Sequence, residues 1–309
     1  MLNILGKRYY FFLLSAILII PGLTFLLIDG FNHKLPLSID FTGGSLLDIR
    51  FITNEKPQPA DLINVFNSLG ISGAQVQTTG GNTFIARTSF LDDVERAKVI
   101  SAMKEKIGEM EVLRFDSVGP VIGQEVTIGA IYAVIVSSFI VVFYIWFAFR
   151  GVPNAFRLGI CAISAMLHDI AVVFSLVGIG GHFLGWQIDA MLFTALLTVI
   201  GFSMQDTIVV FDRIRENSNL FRRLPFETMV NHSIIQTLQR SINTQLMTVE
   251  FMLLALALFG GITLREFAIV LLIGLLCGTY SSIFIAAPIL VLWENQEWKY
   301  WFRKNNAAV

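Results

Sequence analysis

Charge is scarce in this chain. Of 309 residues, only 15% are Asp, Glu, Lys or Arg, against 55% hydrophobic. A soluble domain carries about a quarter charged residues, so the deficit excludes an ordinary water-soluble globule and indicates a membrane chain. Neither sign prevails. Lys and Arg total 22, Asp and Glu 23, and the formal net charge of −1 gives no electrostatic argument for a nucleic-acid partner. Cysteine is nearly absent: Cys161 and Cys277 both lie in apolar runs. That excludes a disulfide framework, and the pair lacks metal-ligand spacing. Both read as small buried hydrophobes. The sequence also lacks H-E-x-x-H, the P-loop pattern and G-x-S-x-G. ATP hydrolysis is therefore not expected, and the chain reads as a non-enzyme with no cofactor and no metal.

What the sequence has is apolar runs. Lys7 and Arg8 precede one at 9–28, long enough to span a bilayer, which needs about 20 residues. Further runs occupy about 126–149, 157–180, 188–211, 235–259 and 266–292, which makes about six spans. A signal peptide would have a shorter apolar region and a small-x-small cleavage site, so the first run reads as an uncleaved helix. Basic residues set the orientation. Arg150 and Arg157 lie between spans two and three, and Arg213, Arg215, Arg222 and Arg223 between four and five. Lys299, Arg303 and Lys304 follow span six, whereas the connections Gly180–Gln187 and Gly260–Glu266 hold only Arg265. The positive-inside rule then puts both termini in the cytoplasm and residues 30–122 outside. The expected divisions are a first helix at 1–29, an extracytoplasmic domain at 30–122, a five-helix bundle at 123–292 and a cytoplasmic tail at 293–309. Gly274 and Gly278 in span six form a small-residue face for close packing, either within the bundle or in a dimer.

The outer block changes period. Leu47, Ile49 and Phe51 alternate with Asp48 and Arg50, as in a half-buried strand. Leu62, Val65, Phe66 and Leu69 have amphipathic helical spacing, with Pro59 near the start. Strands at 74–79 and 82–88 are joined at Gly80-Gly81. A second helix is expected from Ser89 as its cap, with Val99, Met103, Ile107 and Met110 buried. A strand at 112–117 closes the block. Strand, helix, strand, strand, helix, strand is the split βαβ order of a ferredoxin-like domain. The fold class is thus a polytopic α-helical membrane protein with an extracytoplasmic α+β ferredoxin-like domain.

Carboxylates inside apolar runs are the candidate chemistry, because an intramembrane charge is expensive and rarely idle. Asp206 falls before span four has ended, about 9 Å from its cytoplasmic end at 1.5 Å per residue. Arg240 lies at similar depth on the next span, so the two are candidates for a pair. Such a pair either carries a proton as it opens and closes or only fixes packing. His168 and Asp169 sit near the middle of span three, as a relay or as a packing pair. Ser203, Gln205, Thr207, Asn243 and Thr244 are candidates to hydrogen-bond the charges, or plain interhelical glue. Glu250 is a further deep acid without an evident partner. Residues 212–216 read as a solvated helix end, and 225–231 as the start of an interfacial helix.

Five stretches resemble the SecF family of protein-export membrane subunits, which belongs to the proton-driven RND superfamily. They are Ile39-Asp-Phe-Thr-Gly-Gly44, Val118-Gly-Pro-Val-Ile-Gly123, Leu167-His-Asp169, Gly201–Asn217 and Thr237-Leu-Gln-Arg240. The resemblance implies six spans, an extracytoplasmic domain between the first two, and a bacterial inner-membrane location. It implies work with SecD, with the SecYEG channel, with YajC and with the exported unfolded polypeptide, all within membrane lipid. The family couples the proton motive force to late export steps. Asp206 and Arg240 match its membrane-embedded Asp and Arg, and Asp169 is expected to join them in ion coupling. After Arg240 the family has small Ser or Thr residues, whereas this chain has Asn243-Thr-Gln-Leu246 and then Glu250, which leaves proton and sodium both open as the coupling ion. Two rivals stand beside this reading: an RND-type exporter of small molecules or lipids, and a passive scaffold.

Overall fold

A computed structural model describes residues 3–32, 35–52, 57–80, 82–150, 155–245, 251–297 and 299. They divide into two compact units, one of residues 37–132 with 188–190, the other of the described residues within 1–36, 133–187 and 191–309.

The smaller unit is built on a four-stranded antiparallel sheet. β1 (Gly44–Phe51), β2 (Gln75–Gly80), β3 (Thr83–Thr88) and β4 (Met110–Val118) lie in the order β2-β3-β1-β4. Helices α3 (Pro59–Ser68) and α4 (Asp93–Lys106) make the crossovers, which is the ferredoxin-like arrangement. Alternation along β1 puts Leu47, Ile49 and Phe51 at no more than 2% exposure, packed with Leu62, Val65, Phe66, Val99 and Met103. Burying each such side chain contributes about 1.5–3 kcal/mol.

Three local expectations shift. α4 is capped by Asp92, not Ser89: Asp92 and Glu95 satisfy each other's backbone N–H groups in a capping box. Met110 is buried, but in β4 instead of on the helix. Gly80 pairs with Thr83 and so extends β2 one residue past the expected strand; Gly81 lies outside the described residues.

The short helix α2 (Ile39–Thr42) leads into β1 through Gly43 and Gly44. Gly43 has φ 69° and ψ 168°, and Gly44 has φ 127°. These are backbone conformations that only glycine adopts without strain. A Cβ on Gly43 would lie 2.9 Å from Pro120 Cα, and one on Gly123 would lie 2.8 Å from Gly43 N. The Ile39–Gly44 and Val118–Gly123 stretches are therefore packed on each other, backbone to backbone.

The larger unit is helical. α1 (Arg8–Phe31), α5 (Pro120–Phe149, whose first residues belong to the smaller unit), α6 (Ala155–Leu184) and α7 (Ala190–Leu220) are followed by α8 (Phe226–Gln245), α9 (Phe251–Phe259), α10 (Ile262–Ser281) and α11 (Ala287–Glu294). Among the described residues, five stretches are long and apolar enough to cross a membrane: Leu5–Phe31, Pro120–Ala148, Phe156–Leu184, Ala190–Leu220 and Leu264–Glu294. The sixth expected run, 235–259, falls on α8 and α9, and residues 246–250, Glu250 among them, lie outside the described residues. Phe226–Asn231 open α8, which continues without a break into the start of the expected fifth run, and its Met229, Val230 and Ile234 are buried.

Glycines allow the tightest crossings. A Cβ on Gly22 would overlap the Ser175 carbonyl oxygen, so α1 and α6 touch through their backbones. Gly274 and Gly278 seat Val199 and Ser203 of α7, which places that small face inside the bundle of a single chain. Between α10 and α11, Ser282–Ala286 form a π turn. Pro288 follows it, and its missing N–H and bulky ring disfavour a regular α-helical turn there.

Candidate functional site

Periodicity carries the inward face of α7 through polar residues. Leu192, Leu196, Val199, Ser203, Asp206, Val210, Ile214 and Asn217 are all buried, three or four residues apart. Asp206 is 5% exposed. Its Oδ2 accepts hydrogen bonds from Gln245 Nε2 at 3.3 Å and Thr279 Oγ1 at 3.2 Å. Both donors are neutral.

Arg240 does not pair with it. Among the described residues Asp206 makes no ion pair, and Arg240 is exposed, though near enough to act electrostatically. The reason is angular. Arg240 and Gln245 are five residues apart on α8, about 140° around a helix of 3.6 residues per turn, so one helix cannot aim both at the same acid. Gln245 takes the inward position.

Arg240 instead lines a cleft of about 470 Å³ with Ile208, Asp212, Arg215, Gln236 and Thr237. Arg213 pairs with Glu216 and Arg215 with Asp212, both on the exposed end of α7. Arg240 is therefore the cleft cation outside any ion pair among the described residues.

A second carboxylate is buried deeper. Asp169 is 0% exposed. Ser203 Oγ and Ser281 Oγ both donate to its Oδ2, the latter at 2.7 Å, and His168 Nδ1 lies 3.0 Å from Oδ1. The two acids share two helices. α7 supplies Asp206 and, three residues earlier, the Ser203 that bonds Asp169. α10 supplies Thr279 to one acid and Ser281 to the other. An ionised carboxylate in such a place costs several kcal/mol unless a cation answers it. Hydroxyl and amide donors hold the carboxyl oxygens but do not cancel a charge.

The remaining sequence candidates sort clearly. His168, Asp169 and Ser203 come together. Thr207 is buried but bonds the Ser203 carbonyl of its own helix. Gln205, Asn243 and Thr244 are exposed and do not reach either acid. Sequence reasoning missed Gln245, Thr279 and Ser281. The polar run Thr279-Tyr-Ser-Ser282 inside an apolar span was the available signal. It also missed Asn217, which is fully buried and ties α7 to Ser233 and Gln236 of α8.

Comparison with known proteins gives this arrangement a family. The profile "Protein export membrane protein SecD/SecF, C-terminal" matches residues 98–296, and "SecD/SecF GG Motif" matches residues 30–51, which include the Gly43-Gly44 bend. A protein translocase subunit SecF from Anaerolinea thermophila is 62% identical, covering 98% of both chains. One from Thermobaculum terrenum is 46% identical, again over 98% of each. The crystal structure of SecDF, a translocon-associated membrane protein from Thermus thermophilus, superposes with a TM-score of 0.80 at 32% identity. It covers 95% of this chain, which corresponds to 39% of the SecDF chain. The profile match, the near full-length identities and the shared architecture establish that this chain, a multi-pass membrane protein, belongs to the SecD/SecF family of protein export membrane proteins.

Proposed function

We propose that this chain is a non-enzymatic energy-coupling subunit of a protein translocase. It works beside a SecD subunit and the SecYEG channel, and uses a proton or sodium gradient to bias late movement of an exported polypeptide. Both termini face the cytoplasm and the ferredoxin-like domain faces outward.

The observation that carries this reading is Asp206: a carboxylate buried in an apolar helix bundle, held by neutral donors, with Arg240 close by and not engaged. The protonated acid suits this setting. Losing the proton leaves a charge that Gln245 and Thr279 do not cancel, and the nearest remedy is the guanidinium of Arg240. Bringing it inward requires α8 to turn or slide against α7. An ion arriving or leaving thereby selects between two packings of the same helices, which is what conversion of a gradient into movement requires. The matches to SecDF chains of Thermus thermophilus and Bacillus subtilis, over 39% and 38% of their lengths, support SecD as the partner that supplies the rest of the bundle.

Export of a model precursor by the reconstituted complex tests this, with proton and sodium gradients applied separately. Asp206→Asn is expected to abolish the gradient-dependent part of export and to leave the gradient-independent part. Gradient-dependent export that survives both Asp206→Asn and Arg240→Gln would make the chain a passive scaffold.

A further inference from the structure

α1, α6 and α10 meet at a line of polar side chains that the Asp206 site does not use. Tyr280 OH donates to the Phe11 carbonyl at 2.8 Å, and Ser15 Oγ donates to Tyr280 OH at 3.4 Å. Ser15 Oγ also lies 2.9 Å from His168 Nε2, whose other nitrogen faces Asp169. Ser15 is 5% exposed and Asp169 0%.

The direction of this line is fixed at its far end, because a carbonyl only accepts. Tyr280 gives its hydrogen to Phe11, so Ser15 gives its own to Tyr280. The hydrogen between Ser15 and His168 must then sit on Nε2. A neutral imidazole protonated at Nε2 has a bare Nδ1, and an ionised Asp169 has no hydrogen to offer. Two lone pairs facing each other at 3.0 Å would repel in so buried a site, where the Asp169 side chain is 0% and the His168 side chain 9% exposed. We infer that His168 and Asp169 hold one additional proton between Nδ1 and Oδ1, as carboxylic acid and imidazole or as carboxylate and imidazolium, and that Ser15 and Tyr280 report its presence to α1 and α10.

The surroundings suit a proton held in reserve. Ser203 of α7 and Ser281 of α10 already donate to the other carboxyl oxygen. The titratable groups nearby are His168 itself, Cys277 and Tyr280 of α10, and Asp206 of α7, three residues beyond Ser203. Among the described residues no lysine or arginine pairs with Asp169.

Release has a defined consequence. When the proton passes to water, one bond to hydrogen breaks in the pair, one O–H bond forms on the water, and no electron moves. The hydrogen left on the imidazole shifts to Nδ1 to face the carboxylate, and Nε2 becomes an acceptor. Ser15 then turns its hydroxyl from Tyr280 to His168, and the Ser15–Tyr280 link between α1 and α10 is lost. The buried proton is thus tied to a contact between two membrane helices.

The test is ¹⁵N solid-state NMR of the full chain in lipid bilayers with labelled histidine, using His168→Asn to assign the signal. The expected spectrum at neutral pH has Nε2 protonated; a neutral ring carrying its only hydrogen on Nδ1 would overturn the inference. Tyr280→Phe removes the anchor that fixes the direction. It should shift the population about fivefold toward the Nδ1–H form, the equivalent of one net hydrogen bond. Ser15→Ala should do the same, and unchanged spectra in both variants would count against the argument. As a step in ion coupling this site rests on the function proposed above, but the spectrum needs no gradient. A bare Nε2 with export lost in Asp206→Asn sinks the shared proton alone, whereas a protonated Nε2 with export intact sinks only the coupling role.

Discussion

Replacing Gly43 by alanine should loosen the ferredoxin-like unit far more than its one methyl group suggests. Two costs add. At φ 69° and ψ 168° the backbone lies in a region almost confined to glycine, which costs a side-chain-bearing residue about 1–3 kcal/mol. The new Cβ would also stand 2.9 Å from Pro120 Cα, a backbone atom that a side-chain rotation cannot move aside. Together these amount to about 3 kcal/mol, roughly a hundredfold rise in the opened fraction of a unit whose total stability is of order 5–15 kcal/mol. Gly70→Ala is the control. Its φ is 80° but no atom lies within 4 Å of the added Cβ, so only the left-handed backbone cost of about 1–2 kcal/mol applies. Hydrogen–deuterium exchange of the β1 and β4 amides in the full chain, in lipid nanodiscs, reads both. Gly43→Ala should exchange at least fivefold faster than Gly70→Ala. Equal rates would refute the claim that contact with Pro120, and not only torsion, fixes glycine here.

Three further outcomes are expected. Gly274→Leu drives a side chain into Val199 and should part α7 from α10, lowering the thermal midpoint in detergent by several degrees, whereas Gly201→Ala, with open space around it, should change it little. Gln245→Leu removes a neutral donor from Asp206 without adding charge; it should reduce gradient-dependent export by about tenfold or less, while Gln239→Leu, on an exposed part of α8, should leave export unchanged. Burial opposes ionisation of Glu297, but hydrogen bonds from Arg8, Asn295 and Tyr9 and the Arg8 charge prevail and hold its carboxyl below the usual range. Its contribution to stability is therefore complete above about pH 4.5 and is lost as pH falls through the lower folded value. Thermal melts between pH 6 and 3 should show this loss in the wild type and a smaller one in Glu297→Gln.

The sequence announces whatever depends on period and says little about angle. Leu47, Ile49 and Phe51 declare a buried face because a strand repeats every two residues, and the apolar runs declare helices because a bilayer demands length. Exact ends are harder to read: α4 is capped by Asp92 and not Ser89 because reciprocal bonding with Glu95 outweighs a lone serine. The partner of Asp206 was misjudged for a geometric reason. Depth along a helix can be counted at 1.5 Å per residue, and Arg240 has the right depth. Whether a side chain faces its target depends on rotation about the axis, which depends on packing, and packing turned Gln245 inward. Thr279 and Ser281 were overlooked because single hydroxyls in an apolar span usually only bond their own helix. The π turn at Ser282–Ala286 has no signature beyond Pro288. Nothing in the linear order shows that Ser15, 153 residues before His168, completes a hydrogen-bonded line with it.

The most direct test of the central claim is ion flux. Sealed vesicles holding the complete complex, with a pH-sensitive or sodium-sensitive dye inside, report entry of the ion when a gradient is imposed during export. If Asp206 binds and releases the coupling ion, Asp206→Asn should reduce translocation-linked flux by tenfold or more while the protein remains folded and assembled. Flux that continues at the wild-type rate through the variant would show that the gradient is coupled somewhere else.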